Sequence, residues 1–257
     1  MFNNLIVELS DDPSIARDLD AVVKSTVKEF TKICTTSSPA GIRPLFIKYR
    51  QEGPLVDSTT DTNVYTIYLS ENARDYTRLV YQLGHELCHI FADPRRSNWF
   101  VESICELASQ MLLCRMSETW IDDPPYSHWS EYAPNFKKYL EYWIQEVSKD
   151  LFKTDTLPNE DKLHQWLASV YASLKDDPCD RPRNAVIAIM VRPFFEESVD
   201  NWSAVSFLGE ASVFPPVNLK DLNLNSDFEY DKWEEAVPKH LRELVRRIKR
   251  LFIKNTV

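Results

Sequence analysis

The sequence predicts an α+β fold, a small sheet with helices followed by a mainly α-helical C-terminal region. Three observations carry this. Glycine is scarce, 4 in 257 residues, which disfavours a turn-rich all-β chain. Up to residue 70 there are short runs rich in β-branched and aromatic side chains, as strands require. Beyond them apolar residues recur three and four apart, the period of a helix with one buried face.

Each element follows from its local pattern. Leu5, Ile6, Val7 and Leu9 make a short apolar run that reads as a first strand. Asp12-Pro13 is a capping residue followed by proline at the first helical position. It opens a helix expected to reach about Cys34, with Ile15, Leu19, Val22, Val23, Val27 and Phe30 on one face. The runs RPLFIKYR (43–50) and NVYTIYLS (63–70) read as strands, and GPLVDSTT between them as a weaker one because of Pro54. Leu79, Leu83, Leu87 and Ile90 then mark a helix that ends at Asp93-Pro94, and a second helix covers about 97–116. A compact unit over residues 1–120 and a helical accessory region over 121–257 follow from this order. In the second region helices are expected at 129–151, 159–174 and 183–194, an extended connection at 212–230, and a last helix after Pro238.

Composition narrows the function classes. A net charge of −9 with 44% hydrophobic and 27% charged residues is that of a soluble protein with no general affinity for nucleic acid or anionic lipid. The local exception is the C-terminal stretch, where Lys239, Arg242, Arg246, Arg247, Lys249, Arg250 and Lys254 oppose Glu243. They are expected to form a solvated basic face, with contact to an acidic partner or nucleic acid as the alternative. Five cysteines without a CxxC pair make neither a disulfide framework nor a thiolate zinc knuckle. With no signal-like N-terminus and no apolar run of about 20 residues, the expected location is the cytoplasm. Six tryptophans in the C-terminal half, Trp120 to Trp233, are expected to serve helix packing.

The chemistry concentrates in GHELCHI, residues 84–90. Residues four apart in a helix sit about 40° apart around the axis and roughly 6 Å along it. His85 and His89 can therefore aim both imidazoles at one Zn²⁺. Glu86 stands one step round from His85, placed to take a proton from a metal-bound water. Gly84 costs helix stability and implies a close backbone approach, while Cys88 reads as a small core residue. Downstream, WFVESICELAS places Glu102 and Glu106 in a largely apolar helix, where carboxylates need a partner or a metal. Glu102 is expected to be the third ligand, with Glu106 accepting from the free N–H of a ligating histidine. The exchange of these two roles, and a pairing with an arginine such as Arg115, stay open.

These motifs resemble the gluzincin clan of zinc metallopeptidases, in which a glutamate from the helix after HExxH completes the metal site. The N-terminal unit is similar to its small members, the minigluzincins and the ImmA/IrrE-like proteases. Trp99-Phe100-Val101-Glu102 follows the Trp-x-x-Glu order of aminopeptidase-type members. The resemblance covers about residues 40–117, and it departs in the short His89-to-Glu102 spacing and in Val101, where an asparagine is common. It implies a Zn²⁺ cofactor, a peptide or protein substrate, and Glu86 as general base. It further implies that the strand 63–70 is an edge strand that pairs with substrate, and that the C-terminal half supplies a tyrosine or histidine to stabilise the transition state, with Tyr132, His128 and His164 as candidates. Two rival readings are a helical protein-interaction module on the same scaffold, with structural zinc or none, and a metal hydrolase of a non-peptide bond.

Overall fold

Residues 2–34, 41–57, 63–94, 96–212 and 228–253 are described by the computed structural model. The chain opens with strand β1 (Phe2–Glu8) and helix α1 (Pro13–Ile33), followed by β2 (Arg43–Tyr49), β3 (Leu55–Asp57) and β4 (Tyr65–Leu69). Two long helices come next, α2 (Tyr76–Ala92) and α3 (Trp99–Asp122). The C-terminal half contains α4 (Ala133–Phe152), α5 (Glu160–Val170), α6 (Arg181–Glu196), α7 (Leu208–Ala211), α8 (Tyr230–Ala236) and α9 (Arg242–Ile253). The fold is α+β, mostly helical, with one four-stranded mixed sheet in the order β1-β2-β4-β3.

Helix α1 connects β1 to β2 and buries one face in the core. Asp12 caps it, its carboxylate accepting from the N–H groups of Ser14 and Ile15 at 2.8 and 3.0 Å, which would otherwise be orphaned at the helix start. Leu19, Val22, Val23 and Phe30 are buried on its inner face. A helical crossover lets β1 and β2 run parallel. β4 also runs parallel to β2, and β3 turns back antiparallel along the far side of β4.

The strand expected at 63–70 is therefore not an edge. β4 lies between β2 and β3, with Tyr65, Ile67 and Leu69 buried. Among the described residues the outermost strand on that side is β3, the short run that Pro54 had weakened. The physical reason is that proline, having no N–H to donate, is excluded from a central strand but tolerated beside an edge strand. Alternation alone reports which side chains are inward, not which neighbour a strand has.

Helices α2 and α3 form the centre of the molecule, and Gly84 sets their distance. A Cβ at Gly84 would lie 2.8 Å from Leu112 Cδ1 and 3.2 Å from the Ser109 Cα. The close approach expected of Gly84 is thus to α3. Ser109 Oγ donates to the Tyr81 carbonyl at 2.8 Å across the same contact. In Gly84→Ala, a gain of about 1 kcal/mol in helix propensity opposes an overpacking cost of about 1–3 kcal/mol. Denaturant unfolding should show a net loss near 1 kcal/mol, and a larger one for Gly84→Leu. Unchanged stability in both would mean that the helices can part without cost.

The apolar cluster is continuous from Leu9 to Phe252 and runs past residue 120, which lies in the last turn of α3. Fully buried Glu29 of α1 accepts from Arg115 of α3 at 2.9 and 3.2 Å, so Arg115 is committed away from Glu102 and Glu106. Trp120, Trp202 and Trp233 are buried, as expected of packing residues. On α9, Leu244, Val245, Ile248 and Phe252 face inward. Its basic face is largely paired within the chain: Arg246 with Glu234, Arg247 with Glu197, Lys249 with Asp231 and Arg250 with Glu243. Most of the extended connection expected at 212–230 lies outside the described residues. Among the described residues no helix is long and apolar enough to cross a membrane.

Candidate functional site

The last two turns of α2 bring His85 and His89 to one face, with ring centroids 4.9 Å apart. The helix stops at Asp93, whose φ of +100° turns the chain back. Room for this turn comes from Gly209, where a Cβ would lie 2.7 Å from that of Asp93. Asn98 then caps α3, its side-chain oxygen accepting from the N–H groups of Phe100 and Val101 at 2.9 and 3.0 Å. The short connection accounts for the close spacing of His89 and Glu102, and it puts Glu102 in the first turn of α3, where the helix dipole favours a negative charge.

Glu102 meets both histidines. Its Oε2 lies 3.2 Å from His85 Nε2 and its Oε1 3.5 Å from His89 Nε2, and Ser97 Oγ donates to Oε1. Glu106 is held elsewhere. It accepts from the Tyr81 hydroxyl, from Gln110 Nε2 at 3.2 Å and from Trp143 Nε1 at 3.1 Å. Its partners are therefore an α2 tyrosine, an α3 amide and an α4 indole, where a ligating histidine was expected. Trp143 accordingly does more than pack. Between the two acids, the geometry brings Glu102 to the histidines.

A third side chain of α3 also reaches them. Ligand atoms of His85, His89 and Cys105 all lie within 4.8 Å of one another. The absence of a CxxC pair gave no reason to single out Cys105. The available signal was its three-residue spacing from Glu102, which puts both on one face of α3. Cys105 is fully buried, and burial, reinforced by neighbouring Cys88, pushes its thiol well above the ordinary range. Cys88 is a buried core residue, as expected, its Sγ 3.7 Å from the Ile104 carbonyl.

Burial alone would raise the Glu102 carboxyl, yet the charge of His89 and the bond from His85 hold it well below its ordinary range. Burial alone would lower His89, yet Glu102 raises it from 6.5 to about 9. Glu86 is only 4% exposed, and burial raises its carboxyl despite the two nearby imidazoles. Among the described residues, no hydrogen bond reaches the Glu86 carboxylate. A buried carboxylate without a donor is poised to accept a proton.

Two imidazole nitrogens and a carboxylate converging at these distances are a donor set that suits Zn²⁺. Without a metal, a raised His89 favours its protonated form beside Glu102. The sign of the pH dependence follows from the two shifts. His89, raised on folding, stabilises the metal-free fold fully below about pH 6.5 and loses that contribution as the pH rises through about 9. A shift of this size corresponds to about 3 kcal/mol. Glu102, lowered on folding, contributes above its ordinary range and loses that contribution in acid. Chelator-treated protein should therefore lose stability between pH 6.5 and 9.5, and zinc binding at pH 7.5 should release about one proton per ion. Calorimetry in buffers of different ionisation enthalpy reads that number, and no released proton would contradict the raised His89.

These residues open on a cavity of about 240 Å³. Pro54, Leu55 and Val56 at the edge strand line it, together with His85, Glu86, His89, Glu102 and Glu106. The C-terminal half contributes Cys179, Arg181 and Asn184, none of which the sequence had marked. The three residues expected from that half are elsewhere. Tyr132 packs on Tyr76 and Trp120, His128 stacks on Tyr126, and His164 lines a separate cavity of about 530 Å³ between α5, α6 and α9. Residue type marked them as candidates, but His128 and Tyr132 lie in the short helical stretch 127–132 before α4, where Tyr132 meets the first residue of α2 and not its last two turns, and His164 on α5 faces the other cavity. Compared with known proteins, the chain matches no family model, no curated protein and no solved structure.

Proposed function

We propose that this chain is a zinc-dependent metallopeptidase of gluzincin type, holding Zn²⁺ through His85, His89 and Glu102. The observation that carries this reading is the convergence of Glu102 on both histidines beside buried, undonated Glu86. When bound, the ion supplies Lewis acidity toward a peptide carbonyl and makes water a better nucleophile. Glu86 takes the proton from the attacking water and passes it to the leaving amine, a role its raised carboxyl suits. Ser97 and the first turn of α3 hold Glu102 in place, and the contact at Gly84 fixes α2 against α3. Leu55 and Val56 of β3 line the cavity, where an extended peptide backbone can pair with the edge strand.

The test is direct. Purified chain carrying one equivalent of zinc should create new termini in a proteome-derived peptide library, and chelation should stop it. A zinc-loaded chain that cuts nothing removes the peptidase reading. The His85–His89–Cys105 group supports a second one, a buried structural zinc in an interaction module. There Glu86 has no task.

A further inference from the structure

Among the described residues, Arg181 is the one cation of the cavity without an assigned partner. It is exposed at the first residue of α6 and lines the same cavity as His85 and Glu86. Among the described residues it has neither a hydrogen bond nor an ion pair. Its neighbours are committed: Asp180 caps α6 and pairs with Arg183 at 3.1 Å, and Asn184 binds Ser103 and the Pro178 carbonyl. The nearby carboxylates are committed as well. Glu102 is held by two imidazoles and Ser97, and Glu106 by three donors. An exposed guanidinium left unpaired beside three acids is available to a ligand.

We propose that Arg181 is a specificity determinant that selects peptides carrying a carboxylate, terminal or side-chain, beside the bond to be cut. The inference rests on the peptidase reading above. Glu102 is offset by His85 and His89, whereas Glu86 and Glu106 have no ion pair among the described residues and disfavour an acidic ligand unless a further cation offsets them. Arg181 provides that cation in a planar fork that grips a carboxylate with two parallel hydrogen bonds. Its position at the start of the 16-residue α6 adds the positive end of the helix dipole. A cavity of about 240 Å³ admits only the residues flanking the bond, which restricts the recognised carboxylate to that neighbourhood.

Zinc-loaded Glu86→Gln protein, which binds without cutting, provides the test. Pools of random pentapeptides are prepared with free or amidated C-termini, and with or without Asp and Glu. Binding is read as protection of Cys179, the exposed cysteine on the same cavity, from alkylation. Pools with a carboxylate should bind about tenfold or more tighter than their neutral counterparts, the scale of a charged hydrogen bond. The free-terminus and acidic-side-chain arms separate the two sources. Arg181→Met should erase the preference with zinc content unchanged, and Arg181→Lys should restore part of it. Equal binding of acidic and neutral pools, or a preference surviving in Arg181→Met, overturns the proposal. Cutting of the same pools by wild-type protein is scored separately. If acid-selective binding depends on Arg181 yet nothing is cut, carboxylate recognition stands and hydrolysis falls.

Discussion

Glu86→Gln is expected to lower peptide hydrolysis by about 10²–10⁴-fold, the typical share of a general base, while zinc stays at one ion per chain. Glutamine keeps the shape of the side chain and its place among buried neighbours, so the fold and ligands are undisturbed. It loses the capacity to accept a proton. The substitution also removes a buried carboxyl that desolvation disfavours in its charged form, so the melting temperature should hold or rise slightly. This pairing of lost activity with retained stability and metal separates a catalytic role from a structural one. Full activity in Glu86→Gln would remove Glu86 from the mechanism, and loss of zinc would make it part of the metal site.

The ligand set is decided by a second group of variants. Glu102→Ala should weaken zinc affinity by more than roughly 100-fold, since removing outer-shell partners already costs 10–100-fold. His85→Ala and His89→Ala should do the same, and Cys105→Ala should retain the ion. Glu106→Gln should also retain zinc but lose about 1–3 kcal/mol of stability. Its amide can no longer satisfy the three donors from Tyr81, Gln110 and Trp143. Competition with a metal indicator, together with thermal melts, measures both quantities. Zinc kept in Glu102→Ala and lost in Cys105→Ala would reverse the assignment. The site would then be buried and closed by a thiolate, and the interaction-module reading would follow.

What the sequence determined by itself is local in origin. Asp12-Pro13 starts α1 because a carboxylate and a fixed φ meet the needs of a helix start. The four-residue step of His85 and His89 puts both on one face because helix geometry allows nothing else. Gly84 announced a close contact because a helix interior otherwise disfavours it. The exclusivity of Glu102 was not legible, since Glu102 and Glu106 share a spacing, a setting and a charge. Only the turn at Asp93, with Gly209 against it, decided which of the two reaches the histidines. The edge position of β3 was hidden for a similar reason, because strand order depends on pairing across the sheet. Arg181 and Cys179 sit in a stretch of ordinary composition and reach the cavity only because α6 packs on α3. Short-range chemistry wrote the two histidines and the glutamate beside them into the sequence. The approach of Glu102 to those histidines and the place of Arg181 on the cavity depended on contacts between distant residues, which a linear pattern does not encode.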